Sequence, residues 1–302
     1  TELLAQRACF LLETGTCPSP YRILAISFKR DAAKNLAERV KKRCGDRAQR
    51  FDSFTLDAFA KGLVDRFRLA LPHEWRPQFE YEVMPSGANV SAMREWLIAG
   101  ALNKESLLQK TSEQVRRLFN QLSDGDVLPY PESEAQSPFQ QHSQRCWRGQ
   151  LDQVPGHPSL TFPMLSRLAA YLLRSNPKLT IALRATYHYV LLDEFQDTTT
   201  AQYDLVRAAF QNSETVMTAV GDSKQRIMVF AGAMADVFET YASEFGAETH
   251  YLTSNYRSVH ELVRIQNVIA QIVESGTPPM TAAKTDSGGS CTILELDRKS
   301  VV

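Results

Sequence analysis

The chain has 302 residues, 43% hydrophobic and 23% charged, with Lys+Arg and Asp+Glu equal at 34 each. That length suggests about two domains and a sizeable core. The zero net charge excludes a global basic field for nucleic acid and leaves only a local groove. Five widely spaced cysteines without a CxxC pair argue against a disulfide framework or a zinc site and fit a reducing cytoplasm. No apolar run reaches the roughly 18 residues of a membrane span, and no signal peptide opens the chain.

In chain order, TELLAQRACFLLETG puts Leu4, Ala8, Leu11 and Leu12 on one helical face and stops at Gly15. YRILAISF (21–28) reads as a short buried strand, 31–44 as a helix with Ala33, Leu36, Ala37 and Val40 inward, and 55–67 as another helix. The basic run FKRDAAKNLAERVKKRC (28–44) is diluted by Asp31 and Glu38, so it reads either as a solvated helix face or as a phosphate track. From about residue 74 to 180 helical patterns dominate, separated by proline-rich loops at 128–138 and 154–163. Strand and helix then alternate again: an apolar strand ending at 192, helix 200–211, strand 215–222, helix 235–245, strand 249–252, helix 259–273 and strand 291–296. The expectation is an α/β fold, a parallel sheet with flanking helices, carrying a mostly helical insertion.

Two strands run into polar clusters, VLLDEFQD and TAVGDSKQ. Ligands of an open α/β sheet sit outside the carboxyl ends of its strands. Asp193 and Glu194, in tandem at such an end, suit a hard divalent cation and a general base; a solvated pair capping the next helix is the bland alternative.

LLDEFQDTTTAQ resembles motif II of the UvrD/Rep-like superfamily 1 helicases, (V/I)DE(F/Y)QD(T/S)xxxQ. ILAISFKRDAAKNLAERV (23–40) resembles motif Ia, TLDAFAKGL (55–63) the TFHSF segment, AVGDSKQRIMVFAGA (219–233) motif III, and LTSNYRS (252–258) motif IV. The order is the family's, and the helical stretch 74–180 falls where that family carries its 1B insertion. The resemblance implies a RecA-like P-loop domain 1A (1–73 and 181–247), the 1B insertion (74–180) and the start of a second RecA-like domain 2A (248–302).

It further implies ATP and Mg²⁺ as cofactors and roles for individual residues. Asp193 would hold the metal and Glu194 would activate the attacking water. Gln225 would sense the γ-phosphate, Arg257 would act as an arginine finger, and Tyr256 would stack on adenine. Gln196 and Asp197 would couple hydrolysis to motion. Phe28, Thr55, Asp57 and Phe230 match DNA-binding positions. Thr1 would be the Walker A threonine that helps hold Mg²⁺, or else a simple helix cap. On the first of these readings the chain is an internal or trimmed piece that begins at the end of Walker A and stops before motifs V and VI. Such a piece is expected to hydrolyse ATP poorly.

This sequence departs from the motifs at Met228 (family Tyr), Ala231 (Arg), Lys29, Asp31 and Asp57 (His). The implied activity is a cytoplasmic, ATP-dependent 3′–5′ DNA helicase acting on single-stranded DNA and single/double-strand junctions. A nuclease or a repair or defence protein would be its partner, and no membrane is involved. Two other readings stay open: a degenerate nucleotide- or DNA-binding regulatory module, and a metal-dependent nuclease using Asp193 and Glu194 directly.

Overall fold

The computed structural model describes residues 1–77, 80–84, 88–100, 102–124, 137–151, 159–226, 228 and 232–284. The expected strand at 291–296 and the Phe230 position lie outside these residues. The chain divides into two compact units, Thr1–Asp222 with Ile227–Phe238, and Ser223–Arg226 with Glu239 onward.

In the first unit, helix α1 (Glu2–Glu13) leads to strand β1 (Arg22–Ser27), helix α2 (Arg30–Cys44), strand β2 (Phe51–Thr55) and helix α3 (Leu56–Phe67). A two-residue pair of strands, β3 (Glu82–Val83) and β4 (Ser159–Leu160), brackets four helices: α4 (Val90–Ala99), α5 (Lys104–Leu108), α6 (Ser112–Asp124) and α7 (Pro138–Leu151). Helices α8 (Phe162–Ser175) and α9 (Pro177–Thr186) return the chain to strand β5 (Tyr187–Asp193), helix α10 (Thr200–Phe210) and strand β6 (Val216–Ala219). Helix α11 (Val237–Phe245) crosses the division between units. The second unit holds strand β7 (Ser254–Asn255), helix α12 (His260–Val273) and strand β8 (Thr281–Ala282), with β7 and β8 parallel.

The main sheet is parallel throughout, in the order β2-β1-β5-β6. The fold class expected from sequence is the one observed. Its middle strands are apolar on both faces because helices cover both faces. Ile23 and Ala25 of β1 and Leu191 of β5 join Leu4, Ala5, Ala8, Leu11 and Leu12 of α1 in one buried cluster. Leu24, Ile26, Val190 and Leu192 are buried on the alternate positions. Each such leucine or isoleucine contributes about 1.5–3 kcal/mol on burial.

Strand β2 was not expected, and its composition explains why. Phe51-Asp52-Ser53-Phe54-Thr55 lacks an apolar run because it is an edge strand whose polar groups find partners on β1, β5 and α2. Arg22 grips Asp52 with two hydrogen bonds, 2.7 and 2.6 Å, and Tyr187 donates to the same carboxylate at 3.0 Å. Ser53 donates to the Ala33 carbonyl at 2.8 Å. Conversely, the strand expected at 249–252 is absent. Tyr251 and Leu252 there are exposed, and the ladder forms instead at β7. Helices α7 and α9 were likewise not singled out from sequence.

Helix α8 is buried without a break from Met164 to Ala170 and again at Leu172 and Leu173. It packs between α3 and α10 and touches α6. Its Arg167 is only 5% exposed and needs carboxylates. It pairs with Asp124 of α6 at 3.2 Å and with Asp204 of α10 at 3.6 Å. Arg174 and Arg207 also bind Asp204, Arg207 at 2.8 Å. Burial works to raise the Asp204 carboxyl, but hydrogen bonds and charge from Arg174, with Arg207 and Arg167, outweigh it and hold the group below the ordinary value. Asp204→Asn should therefore cost about 3 kcal/mol in urea unfolding at pH 7, by taking from buried Arg167 one of its two carboxylate partners and from Arg174 and Arg207 the carboxylate they share. The folded group titrates lower than the unfolded one, so its contribution is complete above the unfolded carboxyl value of about 3.9 and fades as pH falls below it. The gap between wild type and variant should hold from pH 7 to 5 and narrow below about pH 4.

Candidate functional site

Register aligns the ends of three strands. Ser27 of β1 lies beside both Thr55 of β2 and Asp193 of β5. At this carboxyl edge Asp193 is 5% exposed, and a carboxylate so buried needs donors or a cation. One donor is the Thr1 hydroxyl, 2.8 Å from Asp193 Oδ2, and the Thr1 main-chain nitrogen lies 3.3 Å from Oδ1. Thr1 stands at the N-cap of α1 but makes no capping bond with its side chain. Its hydroxyl reaches across 192 positions of sequence to the carboxylate instead.

Glu194 follows in the left-handed region, φ 52° and ψ 43°, a conformation that costs a non-glycine residue about 1–2 kcal/mol. Hydrogen bonds on either side of it fix that turn. Phe195 N donates to the Val220 carbonyl at 3.0 Å, and Val220 N donates to the Leu192 carbonyl at 2.8 Å. The turn carries the Glu194 side chain away from the strand axis, where Gln196 Nε2 donates to its Oε2 at 2.7 Å. The amide of Gln196, 1% exposed, also accepts from Asp222 N at 3.1 Å, so one side chain ties Glu194 to the loop after β6. Gly221 makes room for it: a Cβ there would sit 2.2 Å from Gln196 Oε1.

Asp197 ends the short 3-10 turn Phe195–Asp197 that follows Glu194. It is 6% exposed, and its Oδ1 has no hydrogen-bond partner. Burial, reinforced by the charge of Glu194, raises its carboxyl above the usual range, with Lys29 opposing.

The expected DNA-contacting positions fall unevenly. Phe28 is half-buried just past β1 and forms one wall of a small cavity with Ser27, Leu56, Asp193 and Glu194. Thr55 is 8% exposed and caps α3 by accepting from Ala58 N at 3.1 Å. Asp57, the position where the motif has histidine, accepts from Gln202 Nε2 at 2.9 Å and so links α3 to α10. Burial raises its carboxyl, with Gln202 and Arg30 working against that.

Gln225, Tyr256 and Arg257 belong to the second unit. Gln225 is exposed in a short 3-10 turn whose Ser223 donates to Glu274 at 2.7 Å. Tyr256, 77% exposed, and Arg257 lie in a turn organised by Asn255, whose Oδ1 accepts from the main-chain nitrogens of Arg257 and Ser258, both at 2.9 Å.

The donor set at Asp193 is all oxygen: a buried carboxylate and a threonine hydroxyl, with a serine hydroxyl on the adjacent strand. These residues fit Mg²⁺, which takes oxygen ligands and keeps several waters. No group of three or more His, Cys, Asp or Glu side chains suited to a metal comes together among the described residues. Sequence reasoning gave no role to Ser27 or Gly221, although they lie in the stretches 23–40 and 219–233 that resemble motifs Ia and III, and those matches are the signal that could have found them. The left-handed turn at Glu194 yields a direct test. Glu194→Gly should be more stable than Glu194→Ala by about 1 kcal/mol in chemical denaturation, since both lose the carboxylate and only the alanine keeps the backbone penalty.

Among the described residues no helix is long and apolar enough to cross a membrane. The chain is 25% identical over 272 residues to DNA helicase II of Escherichia coli (strain K12), covering 90% of this chain and 36% of that protein. It is 26% identical to a probable DNA helicase of Mycoplasma pneumoniae, covering 88% of this chain and 50% of the relative. It is 25% identical to the ATP-dependent DNA helicase PcrA of Staphylococcus epidermidis, covering 96% and 38%. The chain thus spans between about a third and a half of the length of these curated relatives. The family profile described as UvrD/REP helicase N-terminal domain matches residues 1–246, and the chain belongs to that family.

Proposed function

We propose that the chain is the ATP-binding part of a longer superfamily 1 motor that couples ATP hydrolysis to 3′–5′ movement along single-stranded DNA. The observation that carries this reading is the hydrogen bond from the Thr1 hydroxyl to Asp193. Two hard oxygen ligands, far apart in sequence, meet at the carboxyl edge of a parallel sheet, as a Mg²⁺–nucleotide site requires. The relatives' printed names, DNA helicase II and ATP-dependent DNA helicase PcrA, support a DNA helicase and carry no information on its polarity. With the reading goes a division into domain 1A (1–73 and 181–247), insertion 1B (74–180) and the start of domain 2A (248–302).

In this account Asp193 and Thr1 hold the metal, which when bound neutralises charge on the nucleotide phosphates. Glu194 accepts a proton from the attacking water, and its side chain is pre-aimed by the left-handed turn and by Gln196. Gln196 also holds Asp222 N, so a change at the carboxylate passes to the loop that leads into the Gln225 turn. Asp197, buried beside Glu194, adds to that coupling. Arg257 stabilises charge on the transferring phosphoryl group and Tyr256 stacks on the base of the nucleotide. Phe28 and Phe230 offer stacking surfaces to single-stranded DNA, a mode that needs no net positive charge. Thr55 and Asp57 belong to the same DNA-facing segment. Junction DNA as substrate and a nuclease, repair or defence partner are further parts of this proposal.

The test is ATP hydrolysis by the full-length protein with and without single-stranded DNA. DNA-stimulated turnover is expected, with Glu194→Gln lowering kcat roughly 10²–10⁴-fold and leaving nucleotide affinity intact. Nucleotide binding without turnover in the wild type would replace the motor with a regulatory module. Turnover of DNA without ATP would favour the nuclease reading.

A further inference from the structure

We infer that Glu274 is a positioning residue for Gln225: its carboxylate anchors the Ser223–Gln225 turn to the end of α12, so that Gln225 moves with the second unit, as Arg257 does. The inference rests on the phosphate-sensing role proposed above for its function and on geometry for the anchor itself. The segment Ser223–Arg226 groups with Glu239 onward, while the chain up to Asp222 belongs to the first unit. Glu274 supplies the side-chain contacts that tie the segment there. Its Oε2 accepts from Ser223 Oγ at 2.7 Å and lies 3.8 Å from Lys224 Nζ. A short bond to an ionised acceptor is the stronger, charge-assisted kind. The turn is also closed on itself, Arg226 Nε donating to the Ser223 carbonyl at 3.0 Å.

Glu274 stands where a carboxylate is otherwise unwelcome. It is the C-cap of α12, beside the last carbonyls of the helix, which disfavour negative charge. Donors from Ser223 and Lys224 offset that. The main chain of Glu274 is held as well: its N donates to the Ala270 carbonyl at 2.8 Å, and its own carbonyl accepts from Thr277 Oγ1 at 2.9 Å. Before the other end of α12, Asn255 organises the Arg257 turn and donates its Nδ2 to Gln266 Oε1 of the helix at 3.3 Å. One helix therefore carries both the Arg257 turn and the anchor of the Gln225 turn. The Glu274 side chain is 46% exposed, so the anchor adds little to global stability and its loss should act on the turn rather than on the fold.

Two measurements test this. Trypsin should cut the chain after Lys224 or Arg226 several-fold faster in Glu274→Ala than in wild type, as a released turn opens more often. In the full-length protein, Glu274→Ala should lower kcat for ATP roughly tenfold, with KM and affinity for a non-hydrolysable analogue both within about twofold. Glu274→Gln, which keeps an acceptor for Ser223, should restore most of the rate. Glu274→Ala should cost nothing further when Gln225 is already alanine, since it acts only through that side chain. Unchanged trypsin cleavage, wild-type kcat in Glu274→Ala, equal impairment in Glu274→Gln, or an additive loss in the double variant overturns the inference. Wild-type kcat in Gln225→Ala fails the phosphate-sensing reading itself and takes the positioning role with it, while the trypsin result still decides whether Glu274 holds the turn.

Discussion

A carboxylate buried at the end of a central strand has to be met, and the architecture of the first unit is arranged around meeting it. Asp193 is delivered to the carboxyl edge by a β5 that helices cover on both faces, so the side chain arrives with little solvent. The start of α1 supplies the donor, because packing of Leu4, Ala8 and Leu11 against β1 and β5 holds Thr1 over the strand end. The hydrophobic layer thereby sets the position of a polar contact. Loosening the layer would cost more than apolar area; it would leave a buried anion with fewer partners.

The same constraint shapes the next residue. Continuing β5 in extended form would bury Glu194 as well, and the chain turns instead into a left-handed conformation that glycine would adopt more cheaply. Retaining glutamate at such a position places backbone strain beside the groups that the proposed chemistry uses, a common feature of functional sites. Around it the contacts are reciprocal: Gln196 binds the carboxylate and the loop after β6, and Gly221 stays small so that Gln196 can sit there. Thr198 in turn accepts from Met234 N at 2.9 Å, which ties the turn to the chain that follows β6.

Much of this was legible in the sequence because the chemistry is local. The apolar run into Asp193–Glu194, the helix with Leu4, Ala8 and Leu11 on one face, and the buried strand at Ile23–Ile26 each carry their own pattern. What was not legible depends on distant partners. Strand β2 hides behind Asp52, whose charge reads as loop until Arg22 and Tyr187 are seen to satisfy it. The burial of Arg167 in α8 makes sense only with Asp124 and Asp204 on two other helices, and no spacing rule links them. Thr55, which the resemblance gives only as a DNA-binding position, caps α3 with its hydroxyl in the structure. Ser27 lies inside the stretch that resembles motif Ia, but its burial beside Asp193 shows only in the register of β1 with β5.

The central claim is that Asp193 and Thr1 are built to hold Mg²⁺ with a nucleotide. Its most direct test is the affinity of the full-length protein for a fluorescent, non-hydrolysable ATP analogue, titrated with and without Mg²⁺, in wild type and Asp193→Asn. The account predicts that Mg²⁺ tightens binding in the wild type and that Asp193→Asn abolishes this enhancement while the protein stays folded. Metal-independent binding in the wild type, or an undiminished Mg²⁺ effect in Asp193→Asn, would contradict it.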